Sequence, residues 1–465
     1  MRFVPLTGAA GLLAVALSAT PSVAQPERPQ AGAAGSARFV LSVAPGFDTG
    51  ALPAGVTVAR ELTAVGAVVV DAAPADLLSL RSVPGVRGVA PDRMLSVAGN
   101  GGKGEGVLAP TAVGGTAGQG DAGSGVTVAV IDTGVADTAL LTRESGRLVD
   151  GADTSGEGDG PRDGHGHGTF MANLVAGGKW KGMQVGVAPA ARVVDVKVAT
   201  ADGSTSLSRV LDGFDWVVQN RARLDIDVVS LSLSAARPEE GYGRDPLTDG
   251  AERLRDAGIV VAVATGNDPS QVGDPGQDPL LMAVGAADTT QTAASTASFS
   301  GSAVVAGLQR PDLVAPGVSV LSVLPPSSRI AQSNPEAQTD SGLWSGSGTS
   351  QATAVAAGAV AVFLSGREGL SPDDVRVSFA HAASPLSGTA DGAGLLRIPT
   401  EVRRAADQPA WDGSGTAGEP APTATSWSAT SWSASSWSAT SWSATSWSAT
   451  SWSATSWSAT SWSLR

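Results

Sequence analysis

Cysteine is absent from the 465 residues, which excludes disulfides and thiolate chemistry. A chain of this length can fill a large core without such cross-links, so the absence leaves the compartment open. Histidine occurs three times, at 165, 167 and 381, so imidazole chemistry has few places to sit. Basic charge is also scarce. Four lysines and a net charge of −13 offer no cationic face for a polyanion, so no nucleic-acid partner is expected. Beyond the N-terminal stretch, no segment has the length and hydrophobicity of a membrane span.

What is present begins with MRFVPLTGAAGLLAVALSATPSVA, residues 1–24. One arginine, a short apolar run and a small-X-small ending at Ala24 predict a secretory signal peptide. The chain is therefore expected outside the cell, secreted or held at the surface. Residues 25–37 read as a linker. Over 38–98, ARFVLSV, AVGAVVVDA and VRGVAPD read as strands and PADLLSLRSV as a short helix, giving a small α+β domain. Residues 99–124 are glycine-rich and are expected to be exposed, where proteolytic cutting concentrates.

The main body is expected over 125–402. GVTVAVID, ARVVDVKV, DIDVVSLSLS, GIVVAVATGN and LLMAVGA are valine-rich runs without clean alternation, as in parallel strands buried on both faces. Helical stretches lie between and after them: TFMANLVAG, LSRVLDGFDWVVQN, PLTDGAERLRDAG, QATAVAAGAVAVFLSG and SPDDVRVSFAHAA. Strands alternating with helices predict a layered α/β fold. Residues 403–422 form a second linker. Over 423–465 a five-residue SWSAT repeat places tryptophan at 427, 432 and every fifth residue to 462. That period fits neither helix nor strand, so the tail is expected to be disordered, with its indoles available to cell wall, glycan or protein.

In open parallel sheets, sites gather beyond the carboxyl ends of the strands. There the sequence places Asp132 after TVAVI, Asn267 after VATG, and Ser232, Leu233 and Ser234 after VVSL. His167 and Ser350 each stand at the head of an expected helix. A serine nucleophile needs a base, the base needs a carboxylate to fix its tautomer, and the forming oxyanion needs donors. Asp132, His167, Ser350 and Asn267 supply each role once. The start of a helix at Ser350 adds backbone N–H groups aimed at developing negative charge.

These blocks resemble the subtilisin-like serine peptidases, or subtilases. AVIDTGV matches their aspartate block, GHGTFMANLVAG their histidine block, VATGN their oxyanion asparagine block and SGTSQATAVAAG their nucleophile block, in the family's order. The resemblance covers 125–402. It implies a three-layer subtilisin-like fold with a central, mostly parallel sheet, and a catalytic triad of Asp132, His167 and Ser350. It further implies an oxyanion hole from Asn267 and the Ser350 N–H, and substrate pairing along Ser232, Leu233 and Ser234. The segment 38–98 is similar to the family's inhibitory propeptide, which implies a zymogen that cuts itself within 99–124. The resemblance also implies a peptide or protein substrate and chemistry that needs no cofactor.

Several positions depart from the family pattern. Phe170 stands where a second histidine is usual, Gln351 replaces Met, Ala354 replaces Pro, Asp268 follows Asn267 in place of Gly, and Ser234 replaces Gly. His165 reads as a loop histidine and His381 as structural. Calcium is common in the family, and Asp150, Asp153, Glu157, Asp159 and Asp163 form an acidic loop that could supply oxygen ligands or simply face solvent. Two rival readings stand beside this one. Asp48-Thr49-Gly50 and Asp340-Ser341-Gly342 superficially suit an aspartic peptidase, against the α/β pattern. A catalytically silent subtilase scaffold could instead act through its tryptophan tail.

Overall fold

The computed structural model describes residues 36–96, 100–101, 106–158, 163–235, 245–305, 307–388 and 390–407. The expected signal peptide and tryptophan repeat lie outside them. Among the described residues, no helix is long and apolar enough to cross a membrane.

A central sheet of eight strands runs in the order Ser295–Thr296, Met282–Asp288, Val260–Ala264, Ile226–Leu231, Thr127–Asp132, Arg192–Lys197 and Leu148–Asp153, with Leu313–Pro316 also paired to Met282–Asp288. All pairings are parallel except that of the short strand Ser295–Thr296. Successive side chains point to opposite faces, and both faces are apolar. Val128, Val130, Val228 and Ala262 pack against the helices His167–Ala176 and Thr349–Leu364. Ala129, Ile131, Val229 and Val263 pack against Leu207–Leu224 and Pro246–Asp256. Helices on both faces of a mostly parallel sheet make the three-layer α/β arrangement expected from the valine runs.

Residues 37–91 form a separate antiparallel sheet in the order Thr57–Leu62, Ala67–Ala72, Ala37–Val43 and Val86–Pro91. Strand alternation gives it two apolar faces. Phe39, Leu41, Val68 and Val70 cover the helix Leu77–Arg81 through Leu80. Val40, Ala67, Val69 and Ala90 join the core beneath helices Leu207–Leu224 and Pro246–Asp256. The strand Thr57–Leu62 has no counterpart in the sequence reading, because TVAREL is mostly solvent-facing and lacks an apolar alternation.

The stretch 99–124 is not simply exposed. Ala109–Val113 is a helix whose Ala109 and Val113 are buried in the larger core, and Ala122 joins them. Glycine density hid this segment: its few apolar residues lack a readable period but still fill a groove on the body.

Candidate active site

Asp132 ends its strand with no exposed surface, and its Oδ1 accepts the Thr133 N–H at 2.7 Å. His167 is the first residue of its helix. Its Nδ1 lies 2.7 and 2.9 Å from the two oxygens of Asp132. A carboxylate there selects the tautomer with the proton on Nδ1, which leaves Nε2 as the basic nitrogen.

The two elements approach this closely because Gly168 has no side chain. A Cβ at 168 would lie 2.1 Å from the Gly134 carbonyl oxygen and 3.1 Å from the Asp132 Cβ. The loop before the helix is held by Asp163. Its Oδ1 accepts from Thr133 Oγ1 and Gly166 N at 2.8 and 2.6 Å, and its Oδ2 accepts from Thr169 N and Oγ1 at 2.8 and 2.7 Å. Asp163 thereby satisfies a donor at a helix start whose own cap residue, Gly166, has no side chain. Burial pushes its pKa up, while the bonds from Thr169, Gly166 and Thr133 oppose that shift. The sequence reading treated Asp163 as a possible metal ligand or a solvent-facing loop carboxylate, and it is buried instead of facing solvent. Its position four residues before His167 was the available signal.

Ser350 is the second residue of the helix Thr349–Leu364 and is fully buried. Its Oγ donates to the Ser232 carbonyl at 2.9 Å, and Ser232 Oγ donates to the Ser350 carbonyl at 3.2 Å. The end of strand Ile226–Leu231 and the serine helix are thus joined in both directions. Asn267 is anchored to the same helix: its Oδ1 accepts from Thr349 N at 2.9 Å and Thr349 Oγ1 at 3.0 Å. With its oxygen so occupied, the amide has its Nδ2 donors left for other use.

Leu233 faces the core without exposure, while Ser234 and Asn267 line a cavity of about 170 Å³. The Ser234 hydroxyl is accommodated by Gly273, where a Cβ would lie 1.9 Å from that oxygen. Asp268 lines the same cavity. It is exposed and accepts from Ser270 N, Ser270 Oγ and Gln271 Nε2 at 2.9, 2.6 and 2.8 Å, bonds that pull its pKa down.

His165 does not join Asp132. Its ring centroid lies 6.3 Å from that of His167. Burial, then the neighbouring His167, lowers its pKa to about 4, so it is neutral near pH 7. His381 lies on the exposed side of Pro372–Ala382. In the acidic loop, Asp150 pairs with Arg143, Asp153 accepts from Ser155, and Glu157 lies 2.8 Å from the buried Lys197 Nζ. Asp159 lies outside the described residues. Among the described residues, no group of three or more carboxylate or histidine side chains is placed to hold a metal.

The geometry joins an Asp–His pair, a serine at a helix start and an anchored carboxamide at the mouth of one parallel sheet. The sequence profile of the subtilase family matches residues 123–406. The chain belongs to the subtilase family. It is 38% identical over 264 residues to serine protease AprX of Bacillus subtilis (strain 168), covering 54% of this chain and 59% of AprX. It is 32% identical over 271 residues to a cuticle-degrading serine protease of Arthrobotrys oligospora (strain ATCC 24927 / CBS 115.81 / DSM 1491), covering 57% of this chain and 58% of that protein. Subtilisin DY of Bacillus licheniformis is 31% identical over 278 residues, 58% of this chain and 88% of that protein. The subtilase chain therefore spans about three-fifths of the length of the first two relatives, and most of subtilisin DY.

Proposed function

We propose that this subtilase is a secreted serine endopeptidase made as a zymogen. The observation that carries the reading is the paired contact of His167 Nδ1 with both Asp132 oxygens, beside a serine at a helix N-terminus. In the proposed cycle an extended peptide pairs with Ser232–Ser234 through its backbone. Ser350 Oγ attacks the scissile carbonyl and its proton passes to His167 Nε2, while Asp132 stabilises the resulting imidazolium. The Ser350 N–H and Asn267 Nδ2 hold the oxyanion. His167 then protonates the leaving amine, and water attacking the acyl-enzyme releases the acid and restores Ser350. Every group in the cycle is a protein group, so no cofactor enters the chemistry.

The sheet at 37–91 acts in this reading as the inhibitory propeptide. Its docking supports the role. The strand Met94–Ser96 runs antiparallel to Ser204–Ser206, and Asn100–Gly101 pairs with Gly346–Ser347 beside the serine helix. The chain that follows the small domain is thus paired to the body at two points, the second on the strand Trp344–Ser347 that leads to Ser350. The N-terminal apolar stretch supports export, and the tryptophan tail supplies a contact to cell wall, glycan or protein.

The test is intact mass of the purified full chain during incubation, wild type beside Ser350→Ala. Loss of an N-terminal fragment of roughly 100 residues in wild type alone supports a live nucleophile and a propeptide. If both chains stay whole and wild type also fails to bind a fluorophosphonate at Ser350, the peptidase reading is wrong and the silent scaffold stands.

A further inference from the structure

Two carboxyls of the body, Asp245 and Asp274, meet in one pocket and are 2% and 1% exposed. Each has one oxygen fixed by its surroundings. Asp245 Oδ1 accepts the Leu247 N–H at 2.8 Å, and Asp274 Oδ1 accepts from Thr248 Oγ1 and, at 3.3 Å, from Gln277 Nε2. The other two oxygens lie 2.7 and 3.8 Å from Nη1 and Nη2 of Arg93. Asp274 Oδ2 and the neighbouring Gln277 Oε1 accept no hydrogen bond, and both side chains are buried. Buried acceptors left so are costly, and a forked cationic donor is what this pocket is shaped to take. Arg93 itself belongs to the N-terminal region that the zymogen reading removes. Its side chain keeps 20% of its surface in water, so the pocket has a mouth to solvent.

The pocket is continuous with the segment proposed to pair with substrate. Ala235, the residue after Ser234, exchanges two backbone bonds with Asp274, at 2.8 and 3.0 Å. From Arg93 the chain runs on as Met94–Ser96, antiparallel to Ser204–Ser206. It heads for Gly203, where a Cβ would lie 2.7 Å from His165 Nε2 on the histidine loop. The next pairing, Asn100–Gly101 with Gly346–Ser347, is on the strand that leads to Ser350.

We infer that the Asp245–Asp274 pocket is a remote anchor for substrates: once the N-terminal region has left, it receives an arginine carried at the fifth to seventh residue before the scissile bond of an extended peptide. The inference rests on the endopeptidase and zymogen readings above. The spacing is that of the chain itself. A peptide laid along the same path has its bond after one of the three residues between Ser96 and Asn100, and Arg93 is then the fifth to seventh residue counted back. Arginine is favoured over lysine because two nitrogens of one planar group reach two carboxyls, where an ammonium is a single point of charge. With Arg93 gone the two carboxyls are left without their cation, which a substrate arginine restores. Asp245 and Asp274 become specificity-determining residues.

The experiment uses the self-processed chain and internally quenched peptides of one fixed sequence. A single arginine is walked from the third to the ninth residue before the scissile bond, alanine fills the other walked positions, and the bond cut is read by mass. The expected result is one maximum, at the fifth, sixth or seventh residue, with kcat/KM at least about tenfold above the all-alanine peptide, the lower end of what a hydrogen bond to a charged group contributes. The gain should sit in KM, because a remote anchor holds substrate and transition state alike. Lysine at that residue should give less than about half the gain. Asp274→Asn, or Asp245→Asn, which keeps the helix cap, should bring the arginine-to-alanine ratio to within about twofold. A flat profile, a maximum at another residue or one that lysine matches, or a ratio kept by both variants overturns the inference and leaves the peptidase reading intact. The walk on wild type decides by itself should neither variant fold. Hydrolysis of none of the peptides overturns the peptidase reading as well.

Discussion

Arg93 Nη1 lies 2.7 Å from Asp245 Oδ2, joining the chain that leaves the small N-terminal sheet to the cap residue of helix Pro246–Asp256. Asp245 is buried, and its other oxygen accepts the Leu247 N–H at 2.8 Å. Asp274 lies alongside, 3.8 Å from the same guanidinium. Burial, then the charge of Asp245, raises the Asp274 pKa well above the usual range. One cation thus serves two buried carboxyls from another part of the chain. Arg93→Ala leaves them facing each other. The cost of about 3 kcal/mol is the lower end of the range for breaking a buried pair, because Arg93 keeps a fifth of its side chain in water. In the uncut Ser350→Ala chain, hydrogen exchange across residues 37–91 should accelerate at least tenfold. Unchanged protection would mean that the apolar face alone holds the sheet down.

The same interface responds to pH, with a sign set by raised carboxyl pKa values. Asp212, paired with Arg60, is pushed up to about 6 by burial against the opposing pull of Arg60. Burial also raises Asp215, which accepts the Ala64 N–H at 2.7 Å, and Asp249. Separation of the sheet returns these groups to water and to about 3.9. The docked form therefore binds more protons between about pH 4 and 6, so docking is strongest in acid and weakens as pH rises through that window. Exchange across 37–72 in uncut Ser350→Ala chain should be faster at pH 7.5 than at pH 5 after correction for intrinsic rates, and Asp212→Asn should flatten the difference. Tighter docking at pH 7.5 would contradict the sign.

Much of this architecture is legible in the sequence. The strands ending at Asp132, Leu231 and Ala264 announce themselves because strands buried on both faces need unbroken apolar runs, and the site residues follow directly from where those runs stop. The helices headed by His167 and Ser350 were legible from glycine followed by a long small-apolar stretch. What stayed hidden depends on partners distant in sequence. Asp92 accepts from Ser208 N and Oγ, both at 2.8 Å, across 116 positions, and so caps a helix of the body from the small domain. Arg93, Asp212 and Asp215 are likewise ordinary surface charges until the two sheets meet.

In the proposed cycle, Asp163 would position His167 without touching the reaction. Its four accepted bonds tie the loop at Gly166 and Thr169 to Thr133, the neighbour of Asp132. Asp163→Asn puts an NH2 group against one of those donor pairs, which cannot all be satisfied. A shift of the histidine loop by a fraction of an ångström should lower kcat about tenfold to a hundredfold and leave KM within about twofold, since substrate pairs elsewhere. The split between kcat and KM is the readout. An equal fall in stability with kcat preserved would reduce Asp163 to a structural cap.

Asn267 offers the sharpest test of how the charge of the reaction is handled. Its Oδ1 is held by two donors of Thr349, one residue before Ser350, so the carboxamide cannot rotate its oxygen out of that position without losing both bonds. Preorganised donors of this kind act where the oxyanion forms and contribute little to substrate binding. Asn267→Ala should therefore lower kcat by about 10²–10³, or about 2.7–4 kcal/mol, with KM nearly unchanged; these magnitudes are carried over from subtilisin, a member of the same family. Thr349→Ala breaks the side-chain half of the anchor and keeps the backbone half, so its effect should be near one hydrogen bond, about 1 kcal/mol or roughly fivefold in kcat. The graded pair separates a donor that acts in the transition state from a residue that merely packs: if both variants lose kcat equally, or if Asn267→Ala loses KM and keeps kcat, the amide is not the oxyanion donor.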